Sequence, residues 1–94
     1  MIIIAGWLRV EPAAREAYLA DSRKVLEQAR SAPGCLDFSL TADLIEPDRI
    51  NVFERWESDE QLAAFRGAGP EGDQAAQILD ASVAKYRISA EEPP

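Results

Sequence analysis

The stretch from residue 35 to residue 57, CLDFSLTADLIEPDRINVFERWE, decides the fold. Its first part alternates. Leu36, Phe38, Leu40 and Ala42 point one way, and Cys35, Asp37, Ser39, Thr41 and Asp43 the other. Period two with one apolar face predicts a half-buried strand over 35–43. Glu46-Pro47-Asp48 is turn chemistry, and residues 49–57 resume in β-branched and aromatic residues. Two such runs joined by a loop of several residues predict an antiparallel hairpin.

Helical patterns flank the hairpin. Upstream, Pro12 suits a first helical position, where a missing N–H is not needed. From Pro12 to about Ser31, Ala14, Tyr18, Val25 and Ala29 form a stripe beside Leu19 and Leu26. Arg15, Glu16, Arg23, Lys24, Glu27 and Arg30 mark the wet side, and Pro33-Gly34 ends the helix. Downstream, Ser58 caps a second helix and Gln61 completes a capping box. Leu62 and Phe65 form its apolar side, and Gly67 to Pro70 ends it. Ala75, Ile78 and Leu79 then repeat at helical spacing.

The outermost segments read as strands. Residues 81–89 carry Val83, Tyr86 and Ile88. Residues 2–10 put Ile2, Ile4, Leu8 and Val10 on one face and Ile3, Ala5 and Trp7 on the other. A strand apolar on both faces is covered on both. Helices of this chain cover one face, and a second copy is expected on the other. The order β-α-β-β-α-β is ferredoxin-like. The predicted fold class is α+β, an antiparallel sheet with helices on one face, dimerising as an α+β barrel. Residues 1–90 are expected to form a single domain, and 91–94 a loose tail.

Composition narrows the function. The chain has 94 residues, 47% hydrophobic and 29% charged, with 10 basic and 17 acidic side chains for a net charge of −7. Those values fit a soluble globular domain. The acidic balance repels phosphate backbones and anionic membranes, so no nucleic-acid or membrane partner is expected. The single cysteine and the lack of a signal-peptide pattern suit a cytoplasmic location. With no histidine and one cysteine, the usual structural zinc site cannot be built within one chain. Neither a metal nor another cofactor is expected.

Three stretches carry a family resemblance. They are Ile4-Ala5-Gly6-Trp7-Leu8-Arg9-Val10 before the helix opened by Pro12, Pro33-Gly34-Cys35-Leu36-Asp37-Phe38 after it, and Val52-Phe53-Glu54-Arg55-Trp56-Glu57-Ser58 before the Leu62–Phe65 helix. In that order, over about residues 2–88, the chain resembles the antibiotic-biosynthesis-monooxygenase (ABM) family. The resemblance implies a ferredoxin-like homodimer with a cavity between sheet and helices. In some members it implies oxidation of multi-ring phenols or quinols by molecular oxygen without metal or flavin. Other members degrade haem. Many relatives place a histidine on the helix after the Glu-x-Trp strand. This chain has Ala64-Phe65-Arg66 there, which counts against haem degradation.

Cofactor-free oxygenation needs a dry aromatic pocket, a proton acceptor and donors aimed at a developing oxyanion. Glu54, in phase with Ile50, Val52 and Trp56, reads either as a base of raised pKa or as the partner of an arginine such as Arg55 or Arg87. Trp56 reads as a cavity wall and N–H donor, or as a core residue. Asn51, on the opposite phase with Phe53 and Arg55, reads as a binder of a substrate oxygen or as a border of the hairpin. The expected catalytic set is Glu54, Asn51 and Trp56. The expected aromatic walls are Trp7, Tyr18, Phe38, Phe65 and Tyr86. Cys35 reads as a packed, idle thiol, and the glycine-rich stretch 67–72 as a rim over the cavity. The function reads as a monooxygenase acting on an aromatic or quinol-like molecule. The alternatives are a non-oxidative isomerase or cyclase and a non-enzymatic ligand-binding dimer.

Overall fold

A computed structural model describes residues 1–67 and 72–94. Four strands, β1 (Ile2–Arg9), β2 (Cys35–Ala42), β3 (Arg49–Trp56) and β4 (Asp80–Arg87), form one antiparallel sheet in the order β2-β3-β1-β4. Helix α1 (Arg15–Ser31) joins β1 to β2. Helix α2 (Asp59–Arg66) and the short α3 (Gly72–Ala76) lie between β3 and β4. The architecture is the ferredoxin-like α+β arrangement that the pattern predicts.

Local chemistry sets the boundaries. Pro12 opens a short 3-10 turn over Pro12–Ala14 rather than α1 itself, which starts at Arg15. Gly34 adopts φ 82°, which permits the tight turn into β2, and its carbonyl accepts the Glu57 N–H at 2.9 Å. The Ser58 hydroxyl oxygen accepts the Gln61 backbone N–H, capping α2 as expected. The Gln61 side chain takes the Ser58 hydroxyl proton at 3.0 Å. α3 ends at Ala76, so Ile78 and Leu79 lie beyond the helix that their spacing predicts.

The core sits on one face of the sheet. Ile2, Ile4, Phe38 and Trp56 pack with Ala29 of α1 and Leu62 of α2. Val10, Ile50 and Tyr18 form a second cluster, with Ile78 against it. A β-bulge between Cys35 and Asp37 breaks the expected alternation. It turns Cys35 toward the core and leaves Leu36 38% exposed. Arg15, expected on the wet side of α1, is half-buried instead. Its Nη1 donates to the carbonyls of Asp43, Glu46 and Arg49 and clamps the hairpin turn.

The outer face carries Ile3, Ala5, Trp7, Phe53, Ala84 and Tyr86, which face away from the helices by strand register. None of them belongs to either core cluster. Tyr86, expected to point inward, is 54% exposed on this face. The reason is register. Tyr86 pairs with Ile3, not with the inward Ile2 or Ile4. Among the described residues no helix is long and apolar enough to cross a membrane.

Candidate active site

The inner face of the sheet and the helices form a half-open cavity of about 200 Å³. α1 contributes Tyr18, Ser22 and Val25, which share its inward stripe at spacings of four and three. The hairpin contributes Phe38, Leu40 and Glu54, and α2 contributes Phe65 and Arg66. Gln74 of α3 closes one side and donates to Ser22 Oγ at 2.9 Å. Ser22 in turn donates to the Tyr18 carbonyl at 2.8 Å. The walls are mainly apolar, and Phe38 meets Phe65 edge-on at 5.8 Å between centroids.

Glu54 is the chemical centre of this cavity. It is 8% exposed, and inward alternation in β3 places it between Val52 and Trp56. Trp56 Nε1 donates to Glu54 Oε1 at 3.1 Å. The second carboxyl oxygen has no hydrogen-bond partner among the described residues and remains free to take a proton. Burial pushes the Glu54 carboxyl above the ordinary glutamate range, opposed by the Trp56 N–H and then by the Arg66 charge. The sequence left open an ion pair with Arg55 or Arg87. Neither forms. Arg55 lies on the outer face, with its Nε buried and unpaired, and Arg87 pairs with Asp59 at 2.9 Å.

Tyr18 is buried, and desolvation raises its pKa, so it stays an un-ionised O–H donor at neutral pH. Trp56 does not wall the cavity. It lies fully buried behind it, 5.3 Å from the Phe65 ring, and holds Glu54 from the rear. Asn51 is on the far side of the sheet. It accepts from Arg49 Nε at 2.8 Å and donates to Asp43 Oδ1 at 3.0 Å, so it braces the hairpin. Trp7 is on that side too, with the Arg9 and Arg49 guanidinium groups 4.8 and 5.8 Å from its ring centroid. Cys35 packs at the core edge, its thiol raised by burial and by the nearby Glu54 and Asp37 charges.

The structure thus gathers Glu54, Tyr18, Phe38 and Phe65 at one cavity, with Trp56 behind them. It sends Asn51, Trp7 and Tyr86 to the opposite face. Sequence reasoning missed Ser22, Gln74 and Arg66. Ser22 was detectable as the polar gap in the stripe between Tyr18 and Val25. Gln74 had no local signal, because it reaches Ser22 across 52 residues of chain. The rim expected over 67–72 falls largely outside the described residues. Among the described residues, no cluster of three or more Cys, Asp or Glu is placed to hold a metal ion.

A sequence profile described as antibiotic biosynthesis monooxygenase matches residues 1–77. Solved structures with the same fold include a candidate antibiotic biosynthesis monooxygenase from Nitrosomonas europaea. It has 18% identity and a TM-score of 0.83, over 94% of this chain and 98% of that one. Rv0793 from Mycobacterium tuberculosis has 21% identity and a TM-score of 0.78, over 98% of each chain. An uncharacterized Synechocystis protein, sll1783, is 36% identical over 55 residues. That match spans 58% of this chain and 37% of the relative's length.

Proposed function

We propose that this chain, which belongs to the antibiotic biosynthesis monooxygenase family, oxygenates a small phenol or quinol in the Glu54 cavity, with molecular oxygen as co-substrate and no metal or flavin. The observation that carries this reading is a buried carboxyl with one free oxygen at an apolar, aromatic-walled cavity. The free Glu54 oxygen accepts the hydroxyl proton of the bound ring. A base whose pKa is lifted toward the working pH is better suited to that transfer. Tyr18, kept protonated by burial, donates to the oxyanion that develops. The electron-rich anion then passes an electron to oxygen, and the pair recombines on carbon. Loss of water completes the balance. A ring CH2 and O2 become C=O and H2O, and the substrate supplies all the electrons.

The same Glu54 and Tyr18 pair also meets the needs of a proton-transfer isomerase. Oxygen uptake by purified protein with a panel of hydroquinones and anthrone-like phenols separates the two. Enzyme-dependent uptake that is lost in Glu54→Gln supports oxygenation. Turnover that persists without oxygen refutes it in favour of isomerisation.

The reading includes a homodimer. Ile3, Ala5, Trp7, Phe53, Ala84 and Tyr86 form an apolar face that the helices of this chain leave uncovered. A second copy packed on it makes a self-complementary interface. A monomeric mass by light scattering at micromolar concentration would count against it. The free thiol of Cys35 suits a reducing compartment such as the cytoplasm.

A further inference from the structure

The ten basic residues of this acidic chain are mostly engaged. Arg9 pairs with Glu46 and Asp48, Arg23 with Glu27, Arg49 with Glu46, and both Lys85 and Arg87 with Asp59. Arg15 and Arg30 donate to backbone carbonyls. Arg66 makes no hydrogen bond or ion pair among the described residues, yet it lines the cavity. It is the only basic side chain among the described residues that does so. Its position in the last turn of α2 favours the helix dipole, but that needs no cavity. The carboxyl sharing the cavity is hydrogen-bonded by Trp56 and feels the Arg66 charge only through space.

From this arrangement we infer that the cavity selects a ligand bearing a carboxylate, with Arg66 as the residue that reads it. The inference rests on the cavity being the binding site proposed above. An aromatic or enolic ring sits against Phe38, Phe65, Val25 and Leu40, its hydroxyl toward Glu54 and its carboxylate toward Arg66. The guanidinium is a planar fork of donors that matches a carboxylate in two parallel hydrogen bonds. Arg66 is solvent-exposed at the mouth of the cavity, so the pair relies on this two-bond geometry rather than on exclusion of water. The same cation keeps the ligand's charge away from Glu54, which would otherwise face a second anion. Volume limits the class further. About 200 Å³ falls below the roughly 300–1,000 Å³ of sites for drug-sized ligands. That volume suits a one- or two-ring acid.

The test compares gentisate with hydroquinone, two dihydroxylated rings that differ by one carboxylate. Calorimetry gives affinity, and the ring-proton NMR signals of Phe38 and Phe65 report entry to the cavity. Wild type is expected to bind gentisate ~2–5-fold more tightly, as a solvent-screened ion pair implies. That ratio should collapse toward one in Arg66→Gln and recover in part in Arg66→Lys. It should persist in Arg23→Gln, which removes an exposed α1 arginine outside the cavity. Equal entry of both rings into wild type, or a preference that survives Arg66→Gln, overturns the inference and leaves the cavity reading standing. If neither ring moves the Phe38 and Phe65 signals, the cavity reading falls and takes this inference with it.

Discussion

Replacing Trp56 by Phe tests the link between core and site. Trp56 is fully buried, and among the described residues its N–H is the sole hydrogen-bond donor to a carboxyl that is itself 8% exposed. Removing the donor leaves a buried acceptor unpaired, which costs about 1–3 kcal/mol. The smaller ring also opens roughly 40 Å³, worth roughly 1 kcal/mol at about 24 cal/mol per Å³. The single variant should therefore lose ~2–4 kcal/mol, or ~8–30 °C in Tm for a domain this small. Glu54→Leu leaves the indole N–H orphaned instead, while relieving the burial of an acid. In the double variant both polar partners are gone, and only the ring-volume cost remains. Removing both members of a buried pair is close to neutral. The cycle should show a coupling of ~1–3 kcal/mol, read from urea unfolding by circular dichroism at one fixed protein concentration. The coupling should shrink as pH falls through the raised folded pKa of Glu54, because a hydrogen bond to an ionised acceptor is the stronger one. Additivity within ~0.5 kcal/mol would refute the idea that Trp56 positions Glu54.

Because the folded pKa of Glu54 is raised, its contribution to stability is full below 4.5 and is lost as pH rises through the folded value. Glu54→Gln, which does not titrate, should gain on wild type at neutral and alkaline pH; parallel urea midpoints across pH would contradict this. Gly6 adopts φ 155°, and a Cβ there would collide with the Ser82 carbonyl oxygen, so Gly6→Ala must push β4 away. A cost of at least ~1–3 kcal/mol and faster amide exchange in β4 are expected, and unchanged exchange would sink the claim. Asp43 is held to about 2, chiefly by the Glu46 N–H, then by Asn51 and the Ile45 N–H. Its stabilisation holds above 3.8 and fades as pH falls toward about 2, so the Ile45 and Glu46 amides should lose exchange protection in that window first.

The element order was legible because the hairpin strands and the two longer helices carry their own periods, and the hairpin alternation sets which face is buried. The same alternation placed Glu54 and Trp56 inward and Asn51 outward. The failures are of another kind. Leu36 was assigned to the core because a bulge cannot be read from composition, and one extra residue reverses the phase on one side of it. Tyr86 was misplaced because β4 has no strong alternation, and its facing depends on pairing with β1, a contact distant in sequence. Arg15 looked solvated because helical phase cannot foresee three carbonyls gathered at a hairpin turn. Arg66 carries no sequence signal beyond standing where relatives place a histidine, because its position on the cavity depends on how α2 docks against the sheet.

The two faces of the sheet divide the work. A side chain cannot cross from one face to the other without a register slip, so Glu54 and Asn51, three residues apart, never share a site. Chemistry that needs a dry acid belongs to the inner face, where α1 and α2 exclude water around Glu54. The outer face carries an apolar row at Ile3, Ala5, Trp7 and Phe53, with Arg55 beside Ile3 at one end and the Arg9, Arg49, Asp43 and Glu46 ion pairs at the other. The strands that carry both faces are the same β1 and β3, at the centre of the sheet. Pinning those strands from the outside fixes the β3 backbone on which Glu54 and Trp56 stand. In this reading a partner subunit sharpens the geometry of the cavity without lending it a residue. An outer-face substitution such as Trp7→Glu should then weaken association first, and loosen the Glu54–Trp56 pair only as far as β3 itself moves.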